Sequence, residues 1–185
     1  MDQLLQLQDP LLRHVLAVWQ AAGAGAVPDY RALDPVALGR TLPHVWLCER
    51  EAGSGRFRYH LAGERINEVY RRSLAGRYLD EIIPPDGLAV VQRRYDAVLD
   101  TPAAVRTAGL VYLRNQRTFS GERLVLPLLG AGGRPERVLG ATVYALLPGS
   151  RPPEPEQVTR VVRILPLEGE RGWIEDRTGE RVGTL

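Results

Sequence analysis

Apolar and polar positions change their spacing several times along this chain, and each change marks an element. Leu11, Leu12, Val15, Leu16 and Trp19 recur at helical spacing on one face. Asp9 can cap that helix, Pro10 suits its first position, and the stretch 23–28, opening on Gly23 and closing on Pro28, ends it. Leu4, Leu5 and Leu7 extend the apolar face upstream, and such a stripe packs either on a sister copy or on the core of its own domain. Asp34-Pro35 repeats the capping chemistry and starts a short helical turn, closed by Gly39 and Pro43. The period then drops to two. Over 44–51, Val45, Leu47 and Glu49 share one face and His44, Trp46 and Cys48 the other. Ala52-Gly53-Ser54-Gly55 supplies a turn, after which Phe57, Tyr59 and Leu61 alternate with Arg58, His60 and Ala62, completing a β-hairpin.

Gly63 breaks the second strand, and Ile66, Val69 and Tyr70 mark a short helix that ends before Gly76. Beyond Pro84-Pro85, Asp86 is placed to cap a longer helix in which Leu88, Val91, Tyr95 and Val98 keep helical spacing up to Asp100-Thr101-Pro102. Three strand-like segments follow, 104–114, 118–128 and 137–147, joined by Asn115-Gln116-Arg117 and by Gly130-Ala131-Gly132-Gly133. Strands joined so briefly are antiparallel. The predicted fold class is therefore α+β: a five-stranded antiparallel sheet with helices packed on one face, preceded by an N-terminal helix. The stretch 148–155, rich in proline, has linker chemistry. In the tail, Val161, Val162, Ile164 and Leu165 are apolar enough to dock as a strand, and 173–182 can turn at Thr178-Gly179. This divides the chain into an N-terminal helix (1–30), a central domain (31–147) and a linker with a tail (148–185).

Composition narrows the class. A chain of 185 residues with 44% hydrophobic and 25% charged residues is an ordinary globular domain. No apolar run approaches the ~20 residues that cross a bilayer, and the start, Met1-Asp2-Gln3, lacks the basic opening of a signal peptide. The expectation is a cytoplasmic protein without membrane insertion. The single cysteine, Cys48, excludes an internal disulfide framework and a four-thiolate metal site. All 24 basic residues are arginine, yet the net charge is only +2, and Glu64, Glu68, Asp80 and Glu81 are interleaved with Arg71, Arg72, Arg77, Arg93 and Arg94. A nucleic-acid footprint would show a stripe of one sign with stacking aromatics, so nucleic acid is not an expected partner.

Three strings carry a resemblance: Leu42-Pro43-His44-Val45, then Phe57-Arg58-Tyr59-His60-Leu61-Ala62-Gly63, then Leu74-Ala75-Gly76-Arg77-Tyr78-Leu79-Asp80-Glu81. Together they resemble a divergent bacterial type of PAS domain over residues 11–147, and Trp19 and Asp34-Pro35 also fit it. Two positions depart from the family pattern: Glu64 stands where threonine commonly follows the glycine, and Arg71 where the short helix commonly ends in glycine. The resemblance implies a stand-alone sensory module in signal transduction, often a homodimer, that binds a protein partner or holds a small-molecule ligand between sheet and helices. It names no cofactor.

The candidate chemistry is sparse. A haem would need a histidine facing the cavity. His60 alternates opposite to Tyr59, His14 lies among the polar positions of the first helix, and His44 opens a strand. Cys48 is on a strand, away from the cavity helix that carries the flavin-adduct cysteine in light-sensing relatives. No Gly-x-Ser-x-Gly elbow occurs, and prolines Pro28 and Pro135 fall where a dinucleotide fingerprint after Gly23 or Gly130 needs glycine. No catalytic residue or metal ligand is therefore assigned. The groups best placed to line a ligand cavity are Tyr59, Asn67, Tyr70 and Tyr95. The alternative class is a small cone-shaped α+β enzyme of isomerase or hydratase type with a tyrosine-lined pocket, which would need an acid or base inside that pocket.

Overall fold

The computed structural model describes residues 1–114, 117–146, 160–168, 171–176 and 180–185. Three Asp residues start the helical segments of the N-terminal part in the same way. The Asp9 carboxylate accepts the Leu11 N–H at 2.8 Å ahead of helix α2, Pro10–Gly23, and Asp34 accepts the Val36 N–H at 2.8 Å ahead of α3, Pro35–Leu38. Asp29 accepts the Arg31 N–H at 2.9 Å ahead of a single 3₁₀ turn. A short turn of helix, α1, Asp2–Leu5, precedes them. Helix α4, Glu64–Tyr70, ends on Arg71, whose φ of 53° is left-handed. That conformation is the reason glycine suits the position. The longest helix, α5, spans Pro85–Asp100, so Asp86 lies inside its first turn and Pro84, not Asp86, is the N-cap residue.

Five strands stand where the alternation put them: β1 Val45–Arg50, β2 Phe57–Ala62, β3 Ala103–Arg114, β4 Arg117–Leu129 and β5 Pro135–Leu146. The sheet is not five-stranded, however. Among the described residues, strands β6 Arg160–Pro166, β7 Trp173–Glu175 and β8 Arg181–Thr184 extend it to eight, in the order β2-β1-β5-β4-β3-β6-β7-β8, and the ladders pair antiparallel. The apolar tail docks because β3 would otherwise present an open edge: Val162 and Ile164 of β6 pair with Thr107 and Val105 and enter the core. The Asn115-Gln116 turn, the 148–155 linker and the Thr178-Gly179 turn lie outside the described residues.

The helices do not share one face either; both sides of the sheet are covered. On one side α4 and α5 pack over Trp46, Cys48, Phe57, Tyr59, Val105, Val125 and Val138. On the other, Leu5, Leu7, Leu12, Val15, Leu16 and Trp19 pack on Leu124, Leu126, Leu128, Leu139 and Ala141. The alternation within β4 is strict, odd residue 125 facing one core and even residues 124, 126 and 128 the other. Each fully buried leucine contributes about 1.5–3 kcal/mol, so the apolar face of α2 is held by its own sheet and is closed to a sister copy. Trp19 reinforces the contact by donating its indole N–H to the Pro127 carbonyl at 2.8 Å.

In β2 the pairing shifts so that Leu47 faces Leu61 while Cys48 faces Tyr59. His60 is the extra residue of this bulge. It reverses the alternation, which is why Leu61 is 45% exposed although it shares odd numbering with the buried Phe57 and Tyr59. On the α2 side of β4, the buried Glu122 carboxylate accepts the Gln8 N–H at 3.1 Å and the Asp9 N–H at 2.8 Å and pairs with the Arg106 Nε at 2.5 Å. That carboxylate ties the entry to α2 to the centre of the sheet. Among the described residues, no helix is long and apolar enough to cross a membrane.

Candidate functional site

Ion pairs of Arg50 and Arg94 help hold helix α5 over the sheet. Arg50 of β1 reaches Asp100 at 2.8 Å and Asp96 at 3.2 Å. Arg94, only 8% exposed, pairs with Glu175 of β7 at 3.3 Å, and Glu175 also accepts the Trp173 indole N–H at 3.1 Å. Between these supports Tyr95, Val98 and Leu99 pack closely on the sheet, with Tyr95 stacked on Trp46 at 5.4 Å and 21° and set edge-on to Phe57 at 5.3 Å. Toward the start of α5 the contact opens. A cavity of about 440 Å³ lies between α5, the segment leading into it, and β3 and β4. That volume is in the range of small-molecule sites.

The walls are mostly apolar. Ile82, Ile83, Val90 and Val91 form the helix side and Val105, Val111 and Val125 the sheet side. A bulge in β3 shapes the sheet side: the pairing steps from Leu110 opposite Ser120 to Tyr112 opposite Phe119 and leaves Val111 without a partner across the ladder. At this end Tyr70, Tyr112, Phe119 and Tyr144 form an edge-to-face cluster with centroids 5.3–6.4 Å apart.

Arg123 of β4 stands on the same wall, half-buried. Its Nε donates to the Thr142 hydroxyl at 3.0 Å, its Nη2 donates to the carbonyl of the bulged Val111 at 3.1 Å, and its guanidinium lies 4.7 Å from the Tyr112 ring centroid. Thr142 also accepts the Trp46 indole N–H at 3.3 Å, so one hydroxyl aligns both groups.

Of the four residues singled out in the sequence, the structure brings two to the cavity wall, Tyr70 and Tyr95. Tyr59 lies deeper, 5% exposed and 5.9 Å from Trp46. Asn67 is a brace: its amide donates to the Ala62 carbonyl at 2.9 Å and accepts the Leu74 N–H at 3.0 Å, which fixes α4 against the end of β2. Arg123 escaped the sequence reading. Its signal was the adjacent opposite charges Glu122-Arg123 inside an apolar strand, which must point to opposite faces and so cannot pair with each other.

Burial pushes the phenols of Tyr59 and Tyr95 well above their ordinary value, which keeps them neutral donors. Burial likewise pushes the Cys48 thiol up, with only partial relief from a hydrogen bond to Tyr59. No carboxylate or histidine is among the described lining residues. His14 bonds the Ala37 carbonyl, His44 the Thr142 carbonyl, and His60 pairs with Glu49 on the outer face of β2. Among the described residues, no cluster of three His, Cys, Asp or Glu could hold a metal ion.

Compared with known proteins, residues 7–143 match a family model described as a PAS domain. No curated protein matches the chain.

Proposed function

The chain belongs to the PAS domain family, and from that premise we propose that it is a sensory or regulatory module that binds a small molecule in the cavity under α5 and answers with a change in association with a protein partner or a second copy of itself. Family membership carries the fold, and the site must carry the function. The observation that carries it here is the mostly apolar cavity of about 440 Å³, with a few convergent polar groups on its wall. A proton-transfer enzyme needs a group that titrates near its working pH. Among the described residues, the polar groups fronting this cavity are arginines, a threonine and tyrosines, and burial has raised the Tyr95 phenol away from that range.

Signalling requires that a ligand favour one of two states. Helix α5 is suited to report occupancy: it forms one wall of the cavity, and Arg94 ties it to Glu175 of β7. The test is a fragment screen by native mass spectrometry, followed by amide hydrogen exchange on each hit. A genuine ligand slows exchange in α5 and β3 and shifts the oligomeric state, and Val91→Trp, which fills the cavity, abolishes both effects. A screen in which no hit protects α5 refutes the reading. A hit that leaves chemically altered would instead establish an enzyme.

A further inference from the structure

Resting on that reading of the cavity as a ligand site, we propose that its ligand is a small organic acid: one carboxylate pairs with Arg123, and an apolar body fills the space under α5. Among the described residues, two arginines stand on the wall, Arg94 and Arg123. Arg94 already has a counter-charge, Glu175. Arg123 spends its Nε and one Nη2 bond on neutral acceptors and stacks on Tyr112. Among the described residues, no carboxylate lies within ion-pair distance of it, and none lines the cavity.

A half-buried guanidinium without a counter-charge gains a charge-assisted pair from an incoming anion. The planar fork of arginine matches a carboxylate, which accepts two parallel N–H bonds. Thr142 and Tyr112 hold the fork in position before any ligand arrives, so little ordering remains to be done on binding. With Arg94 engaged, Arg123 is, among the described residues, the one cation of the wall open to a ligand, which suits a monoanion better than a phosphate dianion. The opposite wall of Ile82, Ile83, Val90 and Val91 suits a hydrocarbon chain or a ring and offers little to a sugar. Tyr95, kept protonated by burial, adds a neutral donor.

The experiment uses the full chain and probes that share a body and differ in head group: octanoate, 1-octanol and octylamine, with 4-phenylbutyrate as an aromatic acid. Affinities come from calorimetry and the binding place from amide exchange. The acids are expected to bind and to slow exchange in α5 and β3. The alcohol should bind about 10- to 100-fold more weakly, the ratio a charge-assisted pair supplies, and the amine more weakly still. Arg123→Met should remove the advantage of the acid while the alcohol keeps its affinity. Should that variant fail to fold, Arg123→Lys, which keeps the charge and loses the fork, and the acid-to-alcohol ratio of the unaltered protein decide the matter.

An alcohol that binds as tightly as the acid, or an acid whose affinity is unchanged in Arg123→Met, overturns the inference and leaves the cavity as a ligand site. Acids that bind without protecting α5, and that still bind Val91→Trp, occupy another place and overturn the inference as well. Absence of acid binding overturns the acid assignment, while the fragment screen separately decides the wider reading.

Discussion

Removing the Glu122 carboxylate should be among the most damaging single changes in this protein. Glu122 is 6% exposed, and its partner Arg106 is 8% exposed and faces Arg163 across the β3–β6 ladder. Glu122→Ala would leave Arg106 as an uncompensated buried cation beside a second arginine, a loss of about 3–5 kcal/mol. The N–H groups of Gln8 and Asp9 lose their acceptor too, but they are only partly buried and water can replace it, so they add about 1 kcal/mol together. The sum, about 4–6 kcal/mol, is a large share of the 5–15 kcal/mol that holds a typical domain together. For a chain of this size it corresponds to a fall in Tm of roughly 8–24 °C. Urea unfolding followed by circular dichroism measures it, with an unchanged slope showing that the unfolded state is the same. The double variant Glu122→Leu with Arg106→Met removes both charges and should recover most of the loss. A single variant within 1 kcal/mol of the parent, or a double variant as weak as the single, would refute the reasoning.

Four further outcomes follow from other contacts. Gly140→Ala should destabilise by about 3 kcal/mol or more, because its new Cβ would lie 1.9 Å from the Trp46 indole, which is stacked on Tyr95 and has nowhere to go; chemical denaturation reads the loss. Arg71→Gly should raise stability by up to about 1 kcal/mol in the same assay, since it relieves a left-handed φ of 53° at an exposed position. Asp29, hydrogen-bonded and paired with Arg31, has its carboxyl lowered from the ordinary 3.8 to about 2. A lowered folded-state value means that its stabilising contribution is present above about pH 4 and fades as the pH falls through about 2, so a carboxyl NMR titration should find that midpoint and Arg31→Ala should return it toward 3.8. Cys48, fully buried with its thiol raised by desolvation, should resist a disulfide reagent in the native protein and react at once on unfolding.

Much of the fold was legible because it rests on local chemistry. Asp9-Pro10 and Asp34-Pro35 start helices through bonds a sequence can anticipate, and the alternation put Trp46 with Cys48 and Phe57 with Tyr59 on shared strand faces, which both enter the core under α5. What escaped depends on partners distant in sequence. Nothing near Val162 and Ile164 says that they complete the edge of β3, and nothing in the stripe of α2 says that Leu124, Leu126 and Leu128 will cover it. The bulge at His60 hides for the same reason, being a mismatch between two strands rather than a property of either. At the cavity, Tyr70 and Tyr95 were visible as aromatics on helices, whereas Arg123 depends on a bulge at Val111 and a hydroxyl at Thr142.

The adjacent charges of β4 also guard the strand against mispairing. Side chains alternate sides at every residue, so a slip of one position would exchange the whole strand between faces. In the slipped strand Glu122 would enter the cavity beside the aromatic rings and Arg123 would press into the leucines under α2, each far from the contact it makes now. A strand of leucine and valine alone would tolerate that error, since both of its sides are apolar. The Glu122-Arg123 step makes the wrong alignment expensive on both faces at once, so the pair that shapes the two sides of the sheet also enforces how the sheet zips together.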